Sequence, residues 1–241
     1  MNKILVDNKN IFDFTTNTFS KDENIFIDLN NTNKKTTIEV LDNIKTNITI
    51  VGINNNLELD IKLNKESNLV LNIFLIDSSI NIKTDLFYMS NLSLNNSILN
   101  SIDSNNHIII NHLENKSISN IRNHGYSKNK AKLVFNVEGN IIKEASKCIC
   151  NQDNQIIENE NSFSTILPIL LIDNYDVEAS HAAYVGEFKE KELFYLQSRG
   201  ISLEDSKFLL LNAFLLGILN IEEEEKSKLK DRIIKYLNKE V

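Results

Sequence analysis

The 241-residue sequence predicts a mainly β protein with a small helical region at its C-terminal end. Three observations carry this. Between Ile25 and Val177, short alternating runs of Ile, Leu and Val recur about every 10 residues, the spacing of a sandwich, a barrel or a solenoid. The breaks between the runs are rich in Asn, Asp, Ser and Lys, whereas the whole chain holds only six glycines and one proline. Beyond His181 the apolar residues change to a three-to-four spacing, the period of a helix.

The β runs are Ile25–Leu29, Thr37–Leu41, Ile48–Val51, Leu57–Leu63, Leu69–Ile73 and Ile80–Ile82, with further runs to Val177. Hairpin-built sheets depend on two-residue turns containing glycine. No Asn-Gly or Asp-Gly pair occurs in this region. A solenoid needs fewer such turns, and Asn side chains stacked at its corners would hydrogen-bond along the axis. An AT-rich genome enriches the same residue types, so the Asn content does not by itself separate the three architectures.

The helical elements follow in order. Glu190–Ser198 reads as a helix with Gly200 at the position after its cap. Ser202 is a good N-cap for the next helix, with Asp205 three residues on in the manner of a capping box. That helix, Leu203–Leu219, is apolar over most of its circumference through Phe208, Leu209, Leu210, Leu211, Phe214, Leu215, Leu216, Ile218 and Leu219. Such a helix requires cover. A last helix, Glu222–Lys239, opens with four glutamates and carries Lys226, Lys228, Lys230 and Arg232 further along, an order that complements the helix dipole. Its stripe of Leu229, Ile233, Ile234 and Leu237 covers part of its neighbour, leaving the rest to the β body or to a partner.

Composition excludes several functions. A net charge of −7 and a pI near 5.2 offer no basic surface for nucleic acid. The longest apolar patch, Phe208–Leu219, falls short of the ~20 residues of a membrane span. The expected location is the cytoplasm, or an organelle lumen after removal of a targeting peptide. No phosphate-binding Gly-x-x-x-x-Gly-Lys-Ser/Thr loop, no Gly-x-Gly-x-x-Gly and no Gly-x-Ser-x-Gly elbow is present, so ATP chemistry would belong to a partner. Cys148 and Cys150 are the two cysteines. On an extended strand their Cα atoms stand about 6–7 Å apart, at the limit for an unstrained disulfide. Reduced thiols are the expectation, and the histidines at 107, 112, 124 and 181 provide no closely spaced pair to complete a zinc site.

The most specific stretch is Ser180-His181-Ala182-Ala183-Tyr184-Val185-Gly186-Glu187, followed by Glu192-Leu193-Phe194-Tyr195-Leu196-Gln197-Ser198-Arg199-Gly200-Ile201. It resembles the C-terminal core of the SufB/SufD family, the scaffold subunits of the SUF iron–sulfur cluster assembly machine. In that family a histidine ends the β-helix and a helix reading close to Leu-Phe-Tyr-Leu-x-Ser-Arg-Gly-Ile follows. The resemblance runs from Thr36 to Leu237 and is tight from Pro168 to Phe214. It is looser upstream, where Ile110-Asn111-His112, Asn123-His124-Gly125-Tyr126-Ser127, Val134-Phe135 and Gly139-Asn140-Ile141 are similar to family segments but Val137 replaces a usual glycine. Ala182 after the histidine is similar to the SufD branch, where SufB has a glutamate. The helical N-terminal region of longer members is expected to be absent.

What the resemblance implies is specific. The fold would be a right-handed parallel β-helix over residues 1–186 with a helical region over 187–241. The chain would catalyse nothing alone, pairing through its terminal strands with a SufB-like subunit or with itself as a homodimer. A SufC-like ATPase would dock on the C-terminal helices, with Phe194, Tyr195, Arg199, Phe208 and Phe214 as candidate contacts. His181 would help assemble a cluster or bind iron, and Cys148 and Cys150 fall near the cluster-assembly cysteine of the SufB branch. A lone histidine and a buried Cys pair are otherwise ordinary structural residues, and His112 and His124 read as structural or surface groups. No cofactor would be held stably: an iron–sulfur cluster would be transient, and flavin binds some complexes of the family. Two rival readings are a β-helix carbohydrate-active enzyme, which needs clustered carboxylates along a groove, and a purely structural solenoid.

Overall fold

The computed structural model describes residues 2–6, 16–159 and 161–238. Consecutive strands alternate between two sheets, so that each rung of a solenoid places one strand in each. One sheet has the order β1 (Asn2–Val6), β3 (Glu23–Asn30), β5 (Lys45–Ile53), β7 (Asn68–Ile76), β9 (Asn91–Asn100), β11 (Ile118–Ser127), β13 (Ile149–Glu158) and β15 (Glu178–Gly186). The other runs β2 (Thr16–Phe19), β4 (Asn33–Val40), β6 (Asn56–Leu63), β8 (Ser79–Leu86), β10 (Ser104–His112), β12 (Leu133–Ile141) and β14 (Thr165–Ile172). Every pairing is parallel. The architecture is the expected β-solenoid. The expected ten-residue repeat is therefore half a turn, and stacked residues are 23 apart in the early rungs and 27, 31 and 29 apart later.

Period-2 alternation sets what is inside. Leu69, Leu71, Ile73 and Leu75 of β7 face Leu57, Leu59, Ile61 and Leu63 of β6 across a continuous buried core. The corners explain how the chain turns with so little glycine. Eleven non-glycine residues among those described adopt positive φ, including Asn31, Asn54 and Asp77 at one corner and Asn43, Glu66, Met89, Lys116 and Lys147 at another. At these corners the left-handed residue donates its N–H to the rung above: Asn31 to the Ile53 carbonyl, Asn54 to Ile76 and Asp77 to Leu99, at 2.9–3.0 Å. That regular bond offsets the about 1 kcal/mol cost of a left-handed L-residue.

Asn side chains also stack as the sequence suggests. Asn54 donates to Asn31 and Asn47 to Asn24 on the surface, and Asn95 donates to Asn72 beneath the helices. A fourth ladder is inside: Asn96 Nδ2 donates to Asn123 Oδ1, Asn123 Nδ2 to Asn154 Oδ1, and Asn154 Nδ2 to the Ala182 carbonyl.

The helices are α1 (Glu190–Ser198), α2 (Leu203–Leu216) and α3 (Glu223–Asn238). Gly200 follows α1 at φ 84°, and Ser202 Oγ accepts the Asp205 N–H at 3.0 Å, as the sequence predicts. Lys239, the expected end of α3, lies outside the described residues. The outer face of the larger sheet supplies the cover α2 requires: Leu211, Leu215, Leu216 and Leu219 pack with Val51, Phe74, Ile76, Leu99, Tyr126 and Ile157, and Leu229 and Ile233 of α3 close the cluster. Polar anchors fix this layer. Arg232 makes a two-pronged ion pair with Asp28, the Tyr236 hydroxyl lies 2.6 Å from both Asp77 Oδ2 and Ser101 Oγ, and Asn72 exchanges two hydrogen bonds with the Asn220 backbone.

Candidate functional site

The solenoid ends at β14 and β15, and among the described residues nothing stacks on them. Register shows which side chains form this open end. On β15, Ala179, His181, Ala183 and Val185 lie over the inward residues Cys150, Gln152, Asn154 and Ile156 of β13. On β14, Ile166, Pro168, Leu170 and Ile172 lie over Phe135, Val137, Gly139 and Ile141 of β12. An interior layer is thus left open. His181 is exposed although it stands on an inward column, with small Ala179 and Ala183 on either side. The outer face of β14 is apolar too: Leu167 and Leu171 are about half exposed, where the preceding rung presents Asn136 and Asn140.

Beneath His181 the core changes character along the axis. The inward residues of β7 are all aliphatic, β9 admits Asn96, β11 has Ser119 and Asn123, and β13 has Cys150, Gln152 and Asn154. Gln152 donates Nε2 to the Ile169 carbonyl at 3.2 Å, crossing to the opposite strand. Gly139 makes room for this, since a Cβ there would lie 2.6 Å from Cys150 Sγ and 3.1 Å from Gln152 Nε2.

Both thiols are free and buried, in a small cluster with Ile141 and Ala145. Cys148 Sγ is 3.3 Å from the Glu114 carbonyl and from Ser117 Oγ. His112 joins the two serines, with Nδ1 2.8 Å from Ser117 Oγ and Nε2 2.9 Å from Ser119 Oγ. Burial pushes His112 down to about 4, so it is neutral, and burial pushes the Cys150 thiol up despite a hydrogen bond from Ser119. Both cysteines thus sit as buried side chains a rung below the open end, and Cys150 lies under Ala179 rather than beside His181. Among the described residues no three His, Cys, Asp or Glu side chains converge to hold a metal ion. At the open end His181 offers one imidazole.

The candidate docking residues divide. Phe194 and Tyr195 of α1 are 73% and 58% exposed, and the Arg199 guanidinium lies over the Tyr195 ring at 5.4 Å. Phe208 and Phe214 are instead half-buried against the sheet-facing cluster, and Phe214 stacks on His124. Both rings thus pack partly within the chain and are less open to a partner than Phe194 and Tyr195, while Leu203 and Leu209 of the same helix stay exposed. His112 and His124 are both buried, which removes the surface alternative for each. A half-open cavity of about 400 Å³ lies where the sheet, the segment leading into α1 and the α2 helix meet, lined by residues including Gln155, Tyr184, Phe188 and Phe214. Sequence reasoning missed Gln152, Asn154, Ser117 and Ser119. For Gln152 and Asn154 the signal is the polar residue recurring at every second position from Cys150, where a solenoid core calls for aliphatic side chains.

Residues 90–214 match the family model described as the SufBD core domain of the SUF system for Fe–S cluster assembly. An iron–sulfur cluster assembly protein SufD of Bacillus subtilis is 40% identical over 101 residues, 42% of this chain and 23% of that protein. SufD of Escherichia coli is 31% identical over 101 residues, 40% of this chain and 23% of its own length. A SufBD family protein of Staphylococcus haemolyticus is 30% identical over 112 residues, 46% and 24%. The matched segments thus span less than a quarter of these relatives. The family match itself takes in just over half of this chain, including the rungs that build the polar core under the open end, and the chain belongs to the SufBD core family of the SUF iron–sulfur cluster assembly system.

Proposed function

We propose that this chain is a SufD-like scaffold subunit in iron–sulfur cluster assembly, without catalysis of its own. It pairs end to end through β14 and β15 with a SufB-like subunit or a second copy, and it docks a SufC-like ATPase on α1. The observation that carries the reading is the uncapped last rung: an apolar interior layer with unpaired strand edges and a histidine at its centre. Free edges and an open core invite another β-solenoid end to continue the stack. His181 then lies at the subunit junction, where it supplies one ligand to a nascent cluster and the facing subunit supplies the others. The exposed Phe194, Tyr195 and Arg199 give α1 the aromatic and arginine composition of an interface core.

The test is co-expression with the SufC-like and SufB-like proteins, followed by retention on this chain. A complex containing the ATPase, weakened by Arg199→Glu and Tyr195→Ala without unfolding, supports the reading. A folded chain that retains neither partner nor a second copy overturns it.

A further inference from the structure

Gln152 is 3% exposed and faces the solenoid interior directly beneath His181. Its amide is committed on one side only: Nε2 donates to the Ile169 carbonyl, while Oε1 is buried without a hydrogen-bond partner among the described residues. A buried amide oxygen left unpaired costs about 1–3 kcal/mol. That cost has a ready remedy one rung up, because neighbouring strands are about 4.8 Å apart and side chains in one column stack in register. The donor in that column is the imidazole of His181. The bond from Nε2 to Ile169 also fixes which way round the amide sits, so the group presented to the column is an acceptor.

We infer that Gln152 is a positioning residue for His181: once the exposed ring turns onto its column, Oε1 accepts a hydrogen bond from one ring nitrogen, fixes the neutral tautomer, and leaves the other nitrogen's lone pair facing out of the open end. Metal-binding histidines are commonly held in this way by an acceptor on the nitrogen that does not bind. Two neighbouring features hold the arrangement. Asn154 ends the interior ladder on the Ala182 carbonyl, tying β15 next to His181, and Gly139 leaves the space through which the Gln152 amide reaches β14. The metal part of the inference rests on the reading of His181 as a ligand; the tautomer part does not.

The experiment is imidazole ¹⁵N NMR of the full chain near pH 8, with the His181 signals assigned by their loss in His181→Ala. The expected result is a single tautomer in the unsubstituted chain, a mixture in Gln152→Met, which keeps length without the acceptor, and a single tautomer again in Gln152→Glu. The same tautomer ratio in all three overturns the inference, as does a mixture in the unsubstituted chain. Anaerobic titration with Fe(II) alone then separates the two readings. A tenfold or greater loss of His181-dependent affinity in Gln152→Met joins positioning to binding. Fixed tautomers with no His181-dependent Fe(II) binding leave the positioning role standing and remove the ligand reading.

Discussion

His124 grips Phe214 in two ways: its Nδ1–H donates to the Phe214 carbonyl at 2.6 Å, and its ring stacks on the Phe214 ring with centroids 4.2 Å apart and planes 6° from parallel. The carbonyl can only accept, so the proton is on Nδ1. This places a side chain from β11 at the C-terminal end of α2, where carbonyls lack intrahelical partners. Ser97 on the adjacent strand does the same for the Leu215 carbonyl.

His124→Leu should therefore loosen α2 from the sheet while keeping apolar bulk. The lost hydrogen bond leaves a buried carbonyl unpaired, and the expected cost is about 1–3 kcal/mol. Urea denaturation would measure it. Hydrogen exchange should show faster opening in α2 than in β7 or β9, and unchanged protection of α2 would contradict the role assigned to the contact.

Acid should destabilise the protein through its buried histidines. Burial lowers His112 to about 4 and lowers His124 as well. Above about pH 6.5 both are neutral folded and unfolded, and they add no pH dependence. As pH falls below that value the unfolded chain takes up protons that the folded chain refuses, so stability drops until the folded value is reached. For His112 the window runs from about 6.5 to about 4, and the full loss is about 3 kcal/mol. Unfolding free energies at pH 7.5 and 5 should diverge more for the unsubstituted chain than for His112→Gln. Equal slopes would show that His112 is not held neutral.

Legibility of the fold came from what period-2 alternation can encode. Leu57–Leu63 and Leu69–Ile73 announce strands because their inward residues are aliphatic, and Ser202 with Asp205 announces a helix start because the cap is local in sequence. The corners are silent: Glu66, Met89 and Lys147 turn left-handed because the next rung accepts their N–H, a relationship 22 to 29 residues away that residue type does not record. Phe208 and Phe214 could not be assigned to self or partner because an apolar helix face looks the same under either cover. His181 was found through a family pattern, whereas Gln152 stayed hidden because its importance lies in a register set by lengthening rungs.

Gly139→Ala should fail locally rather than globally. The added Cβ would stand 2.6 Å from Cys150 Sγ, closer than atoms tolerate, and overpacking of this kind costs about 1–3 kcal/mol. Since the nearest neighbour is the thiol, with Gln152 Nε2 and Leu170 Cδ2 each at 3.1 Å, Cys150→Ala in the same chain should restore part of the loss. A double-mutant cycle by denaturation measures the coupling, and strict additivity would mean that the clash is relieved by backbone movement instead.

The interior ladder gives the sharpest contrast. Asn123→Leu alone removes the acceptor for Asn96 and the donor for Asn154, leaving two buried amides short of a partner, and should cost about 2–4 kcal/mol. Replacing all three of Asn96, Asn123 and Asn154 by Leu removes the polar groups together and should cost far less than three times the single change, because an apolar column of similar volume matches the rungs below it. The chain would then keep its solenoid but lose the bond from Asn154 to the Ala182 carbonyl, the tether beside His181. Comparable melting temperatures for the triple variant and the unsubstituted chain, with faster hydrogen exchange confined to β15, would show that the ladder serves the open end more than the core. A triple variant less stable than Asn123→Leu would instead make the amides part of what holds the rungs together.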